Sequence, residues 1–289
     1  MKPFKSAILG DFQVPFHDER AVDIAAQIVR DAKVDRLVIN GDFMDLQNLS
    51  KFPSSRTQLN NARLIDLRSE IELSRNIYHQ LIAETKPKEV LHNDGNHEYR
   101  MFREASTSDI KPIVEYLALT TNPLSTPALL NMAEVGVPVH FKEYPHGQWL
   151  HPDLPINDNI WIEHGNIVRA KTGYTISALQ DKRQASVLIN HVHRLSLGWK
   201  HVLGNRDFMM IENGHLSILG VTGLGDGLYQ GAHHSVADYH NAQQGFSMLT
   251  YTGGRWHPEL IAIKDGEAYY NGKLYKSRII TGDSHLALR

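Results

Sequence analysis

The chain has no cysteine. That absence rules out disulfides, thiolate metal sites and cysteine nucleophiles together, and it leaves nitrogen and oxygen as the donors for any bound metal. An excess of charge of one sign is missing too. The 30 basic and 32 acidic residues give a formal net charge of −2, so no overall field draws the protein to nucleic acid or to an anionic membrane. No apolar run reaches the length of a membrane span, and the opening MKPFKSAILGDF lacks the apolar stretch of a secretory signal. A cytoplasmic protein with no membrane partner is expected. Internal repeats, low-complexity tracts and Pro/Gly/Ser linkers are absent as well, and the chain is expected to form a single domain, 1–289.

Histidine, by contrast, is abundant: there are 17, and this residue is the commonest metal ligand and the natural acid or base near neutral pH. Short apolar runs also stop repeatedly at a polar residue. AIL (7–9) runs into Gly10 and Asp11, RLVIN (36–40) into Gly41 and Asp42, and EVLHN (89–93) into Asp94, Gly95, Asn96 and His97. Between them, ERAVDIAAQIVRDA (19–32) sets Val22, Ala25, Ala26, Ile28 and Val29 at helical spacing after a capping Asp18. Leu64, Leu67, Ile71, Ser74, Tyr78 and Leu81 mark a longer helix that ends before Pro87. This β-α-β-α-β start predicts an α/β fold, a sheet with helices packed on it. Residues 100–135 read as a helical cap insertion, broken by Pro112, Pro123 and Pro127 and placed to roof a site. NIWIEHG (159–165) and SVLINHVH (186–193) read as strands ending in histidines, and GFSMLTYTGG and ELIAIKDGEAYYNGKLY, from Gly245 onward, read as C-terminal β-hairpins.

The polar residues share one address. Asp11, Asp42, Asn96, His97, His164, His191 and His193 each fall at or just past the carboxyl end of an expected strand, where open α/β sheets place their ligand crevices. Unpaired buried charge is costly, and two divalent cations would resolve it, one aspartate bridging them. Carboxylate, imidazole and amide oxygen suit manganese first, with iron, zinc, magnesium or nickel as alternatives. Each residue taken alone has a plainer reading: GNHE as a helix cap, Asp45 as the cap of a short helix, His164 or His191 as a core histidine. Arg100 and Arg103 serve either a substrate phosphate or a solvated helix face. His233, His234 and His240 read as surface or loop residues.

Taken in order, GDFQ (10–13), GDFMD (41–45), GNHE (95–98), HG (164–165) and NHVH (190–193) resemble the five blocks of the calcineurin-like metallophosphoesterases. The resemblance implies a four-layer αββα sandwich with a dinuclear centre. It implies that Asp11, Asp42 and His193 hold one metal, that Asp42, Asn96, His164 and His191 hold the other, and that His97 faces the phosphate as general acid or transition-state donor. The implied activity is hydrolysis of a phosphate ester by attack of a metal-bridging hydroxide, with the metals roughly 3.5 to 4 Å apart. The substrate partner is then a phosphate ester, nucleotides and nucleic acids included. Two alternatives stand beside it: a nuclease acting on DNA or RNA ends, and a weakly catalytic nucleotide-binding or scaffold protein with an incomplete metal site. Two departures bear on these. Gln13 stands where most members have a histidine; it ligates through its amide oxygen, orients a metal-bound water, or leaves the position to His17. Asn190 stands where glycine is usual, and is expected to supply the same left-handed turn.

Overall fold

Residues 2–46, 49, 66–107, 125–169, 171–202, 206–218 and 242–279 are described in the computed structural model. The strand β1 (Phe4–Leu9) is followed by α1 (Glu19–Ala32), β2 (Arg36–Asn40), α2 (Leu67–Thr85) and β3 (Glu89–Asn93). This is the expected alternation, and the three strands lie parallel. Asp18 caps α1 by accepting from the amides of Arg20 and Ala21 at 3.0 and 3.3 Å, and Lys33 ends it in the left-handed conformation. Asp66 caps α2 and Lys86 ends it just before Pro87. Leu64, read as part of this helix, lies outside the described residues, as do His233, His234 and His240.

Two sheets face one another. In the first, β4 (Val139–Lys142) extends the parallel set, while β10 (Gly245–Thr252) and β11 (Arg255–Ala262) add an antiparallel hairpin beside β1. The second runs β5 (Gln148–Trp149), β6 (Ile160–Glu163), β7 (Ser186–Ile189), β9 (Arg206–Asn213), β8 (Leu195–Val202), with β6, β7 and β9 parallel. A separate hairpin, β12 (Glu267–Tyr270) and β13 (Lys273–Lys276), packs against α1 and turns at Asn271–Gly272, both at positive φ. The C-terminal hairpins are therefore as expected. The β8–β9 hairpin was not anticipated. Residues Phe208, Met209 and Ile211 are all buried, because β9 is covered on both faces and the period-2 signal of a half-buried strand is lost.

The side-chain alternation of each strand sorts the core into layers. Ala7, Leu9, Leu37, Ile39, Val90, Phe246 and Met248 pack with α1 and α2. Their neighbours Ile8, Val38, Leu91 and Leu249 point the other way and meet Ile160, Ile162, Leu188, Met209 and Ile211 of the second sheet. Val187 and Ile189 then face outward onto Ile176 and Leu179 of the helix on that side, Tyr174–Arg183. The order helix, sheet, sheet, helix is the four-layer αββα sandwich. Each large apolar side chain buried this way contributes about 1.5–3 kcal/mol.

The expected cap lies in part outside the described residues. The helix Glu98–Thr107 begins at the strand ends, and residues 108–124 lie outside the described set. The stretch 126–134, however, buries Leu130 and Met132 in the helix-side core. There Arg75 and His79 of α2 donate to the carbonyls of Leu129 and Leu130. It packs against α2, which corrects the expected roof for these residues. Among the described residues no helix is long and apolar enough to cross a membrane.

Candidate metal centre

The loops that follow β1 and β2 are zipped together: Asp11 N donates to Gly41 O at 3.0 Å and Gln13 N to Asp42 O at 2.8 Å. The main chain is forced into the left-handed region at Asp11, Gln13, Asp42, His191 and His193, with φ between 50° and 66°. Such conformations cost free energy in residues with a Cβ and gather where the surroundings over-determine them for a purpose. The block glycines make room for the functional groups. A Cβ on Gly41 would run into the His164 ring, and one on Gly95 into the Asp42 carboxylate.

Around Asp42 the donors converge tightly. Its Oδ1 accepts from His97 N at 2.9 Å, and its Oδ2 lies 3.2 Å from His164 Nε2. His164 Nδ1 donates to Asn40 O at 2.9 Å, which fixes the ring and turns Nε2 toward the carboxylates and toward Asn96 Oδ1, 3.2 Å away. Asp42, His164 and His191 offer ligand atoms that all lie within 4.8 Å of one another. Burial pushes the His164 imidazole down, but the carboxylates of Asp42 and Asp11 overcome it and raise its pKa to about 10. Burial likewise works against ionised Asp42, yet His164 and His97 hold it well below the usual carboxylate range. His191, buried beside His164, is depressed to about 3. A proton on His164 thus supplies positive charge that a divalent ion would replace, with proton release on binding.

Asp11 occupies the neighbouring position. Its Oδ2 accepts from Asn190 Nδ2 at 3.0 Å and His191 N at 3.1 Å. Its buried Oδ1 has no hydrogen bond of good geometry among the described residues, although His193 Nε2 is 3.3 Å away and His164 Nε2 4.0 Å. Burial raises the Asp11 carboxyl, and the imidazoles of His193 and His164 more than offset this. Gln13 is buried in the same loop, and His17 is buried where its backbone bridges to Ser217.

His97 stands beside these groups. Its Nδ1 is 3.0 Å from Asp45 Oδ1, and its Nε2 accepts from Arg100 at 2.9 Å and lies 3.6 Å from Asp42 Oδ2. Two expectations need correction here. Asp45 does not cap a helix: its amide donates to Val14 O, and its carboxylate sits between His97 and Arg100. Arg100 is not on a solvated face, because it is largely buried and donates to Asp45 O at 2.6 Å. Arg103 reaches Leu49 O at 3.3 Å.

Asn190 also differs from expectation. The left-handed turn falls on His191, one residue later. Asn190 instead gathers four hydrogen bonds. It donates to Asp11 Oδ2 and Gly214 O and accepts from Asn40 and Asn213. Asn40 accepts in turn from Asn93, which accepts from Gln148. This amide chain ties the two sheets together under the site. Gly10 provides its space, since a Cβ there would lie 2.5 Å from Asn190 Nδ2. Glu98 was read only as part of a block, yet its buried carboxylate accepts from the amides of Asp42, Met44 and Gly95 at 2.8 to 3.1 Å. The signal for it was the acid that completes GNHE, placed where a loop has spare amides.

Two sheets between helices, with five ordered blocks at the ends of their strands, form the four-layer αββα sandwich that the resemblance to the calcineurin-like metallophosphoesterases implies. No protein-family model matches the sequence. The Gene 54 protein of Mycobacterium phage D29 is 24% identical over 278 residues, which is 93% of this chain and 97% of that protein. Among solved structures, Vacuolar Protein Sorting 29 from Cryptosporidium parvum is similar at a TM-score of 0.45 and 14% identity, covering 95% of this chain and 99% of that one. A dimetal phosphatase from Danio rerio is similar at a TM-score of 0.40 and 10% identity, covering 89% of this chain and 95% of that one. The functional reading rests on the site's own residues.

Proposed function

We propose that the protein is a metal-dependent phosphoesterase with a dinuclear centre. The observation that carries this reading is the convergence of two buried carboxylates on one imidazole nitrogen, His164 Nε2, at 3.2 Å from Asp42 and 4.0 Å from Asp11. The donor set fits divalent cations: carboxylates, imidazoles and amide oxygens, with a buried carboxylate oxygen on Asp11 left without a good hydrogen bond. Asp42, Asn96, His164 and His191 would hold one ion, and Asp11, Asp42, Gln13 and His193 the other. Divalent ions in such a pair make hydroxide available near neutral pH and offset charge on phosphoryl oxygens.

The chain's own residues supply the rest. His97 touches the cluster without being tied into it; Asp45 at Nδ1 orients the ring, and Nε2, which accepts from Arg100 in the resting site, takes a proton from solvent and gives it to the leaving oxygen once substrate draws Arg100 away. Arg100 presents its guanidinium at that same nitrogen, so an incoming phosphoryl oxygen takes over the arginine's hydrogen bond.

Among phosphate esters, those carrying a nucleobase suit the surroundings best. Tyr99 and Phe102 are exposed on the helix that starts beside His97, with ring centroids 5.7 Å apart, and Tyr144 lies 5.4 Å from Tyr99. Such faces stack on bases with little sequence preference. The test is metal analysis of the purified protein together with assays on p-nitrophenyl phosphate, bis-p-nitrophenyl phosphate, nucleotides and single-stranded DNA with added manganese. Two ions and turnover are expected, and Tyr99→Ala should raise KM for the nucleobase-bearing substrates alone. At most one ion, with no turnover under any divalent metal, would overturn the enzyme reading in favour of a binding or scaffold protein.

A further inference from the structure

The Asp11 side of the centre lacks the nitrogen that Gln13 does not provide, and a buried histidine that the sequence reading passed over lies next to it. His215 is buried, and its ring stacks on that of His193 with centroids 4.9 Å apart and planes 26° apart. Its Nδ1 is 2.9 Å from Ser217 Oγ, while its buried Nε2 has no hydrogen-bond partner among the described residues. A buried polar nitrogen left unpaired is costly, so the arrangement asks for an occupant. The ionisable groups that act on the ring are the imidazole of His193 and the carboxyl of Asp11.

We propose that His215 is an imidazole ligand of the metal held by Asp11 and His193, an inference that rests on the dinuclear reading above. The wiring matches that of His164. In both rings Nδ1 is engaged by a neighbouring oxygen, Asn40 O for one and Ser217 Oγ for the other, which leaves Nε2 to offer its lone pair. The spacing is also right. With a metal–nitrogen bond of about 2.0–2.1 Å, a ring centroid lies about 3.2 Å from the ion, and two imidazoles about 100° apart on it have centroids about 5 Å apart. The pair His164–His191 is at 5.3 Å and the pair His193–His215 at 4.9 Å. His92 supplies the contrast. It too is buried with nitrogens lacking a hydrogen bond, but its Nδ1 has no anchoring oxygen, its Nε2 comes no closer than 3.8 Å to the Asp94 carboxylate, and it packs on the rings of Phe43, Tyr78 and Phe141, so it fills an aromatic core.

The segment that carries His215 is fixed from both sides. Leu216 N donates to Asp11 O at 3.2 Å, Gly245 N donates to His215 O at 3.0 Å, and Gly214 N donates to Arg194 O at 2.6 Å. Gly214 is at φ +68° with no space for a Cβ. The ring is therefore delivered by a rigid backbone and not by a loose loop.

The test loads full-length wild type, His215→Ala, His215→Gln and Ser217→Ala with Co2+ and with Mn2+, reading stoichiometry and affinity by calorimetry and the ligand field of Co2+ by visible absorption. His191→Ala serves as the control for the other half. The wild type should bind two ions. Both His215 variants should lose the weaker ion or bind it on the order of 100-fold less tightly, with a changed Co2+ spectrum, and Ser217→Ala should weaken it by about 10-fold. His191→Ala should weaken the other ion instead. Two ions bound with unchanged affinity and spectrum in the His215 variants would overturn the assignment and leave the dinuclear reading standing. A wild-type chain that takes up no ion would overturn both. If His215→Ala does not fold, His215→Gln and Ser217→Ala carry the same decision.

Discussion

Around Asp42, the groups that could meet a metal are braced from behind by buried carboxyl groups and main-chain partners: His164 by Asn40 O, and the Asp42 loop by Glu98 through three amides and by Glu70 through Leu46 N. Around Asp11, the bracing is done by neutral amides, Asn190 above all, with Asn213 donating to Ile8 O beneath it. One half is braced by buried carboxyl groups, Glu98 and Glu70, on the first sheet's side. The other is held by asparagines and depends on a segment, 213–217, that returns late from the second sheet. Two neighbouring half-sites of one centre can thus differ in how tightly they hold an ion and in how they respond to pH.

The harshest way to break the comparison is to remove what the halves share. Asp42→Asn should weaken both ions together, because its carboxylate is the group that screens their mutual repulsion. Hydrolysis should fall below detection. Full occupancy of both sites in this variant, read by metal analysis, would show that Asp42 does not bridge.

His97→Ala should come next, with a loss of about 100- to 10,000-fold in turnover. Metal content should remain at the wild-type level, since the ring contacts Asp45 and Arg100 and not the proposed ligand shell alone. The loss should be largest for substrates with poor leaving groups. A near-normal rate on an alkyl phosphate would remove His97 from the proton-transfer role.

Much of the Asp42 half could be read from the sequence because its residues follow β2, β3, β6 and β7 directly, and strand ends are where apolar runs stop. The four layers were legible for the same reason: residues such as Ile8 and Leu9 alternate faces within runs whose type is plain. The Asp11 half was less legible. Its bracing depends on hydrogen bonds between residues 179 and 23 positions apart, Asp11 with Asn190 and Asn190 with Asn213, and no local pattern marks such pairs. His215 escaped notice because it follows β9, a strand whose periodicity is masked by burial on both faces. Asn190 was read as a turn residue because its side chain's partners were out of local reach.

Asn190→Gly sharpens the contrast on the Asp11 side. It restores the residue usual in the resembling family but removes a hub of four hydrogen bonds. Burying even one of the abandoned partners costs about 1–3 kcal/mol. The variant should therefore unfold several degrees earlier and lose the weaker ion first on dialysis. A melting temperature within a degree of wild type would mean that the amide chain does not brace this half.

The smallest effect concerns pH and tests whether carboxylates brace only the Asp42 side. Burial, aided by Asp45, raises the Glu70 carboxyl from 4.5 to about 8. As pH climbs from about 4.5 toward 8, the unfolded chain releases this proton while the folded chain keeps it, so the folded state loses stability across that window. Below the lower value the group is protonated in both states and the stabilisation is fully present. Glu70→Gln retains an acceptor for Leu46 N and has no charge to bury, so its denaturation midpoint should fall less between pH 5 and 8 than that of the wild type. Asn190→Gly takes an amide donor from the Asp11 carboxylate, which is held below the usual carboxylate range and so titrates below this window, and it leaves Glu70 in place; it should shift the midpoint without altering the slope between pH 5 and 8. Parallel pH slopes for Glu70→Gln and wild type would show that Glu70 titrates alike in the folded and unfolded chain, and that burial of this carboxyl does not set the Asp42 half apart.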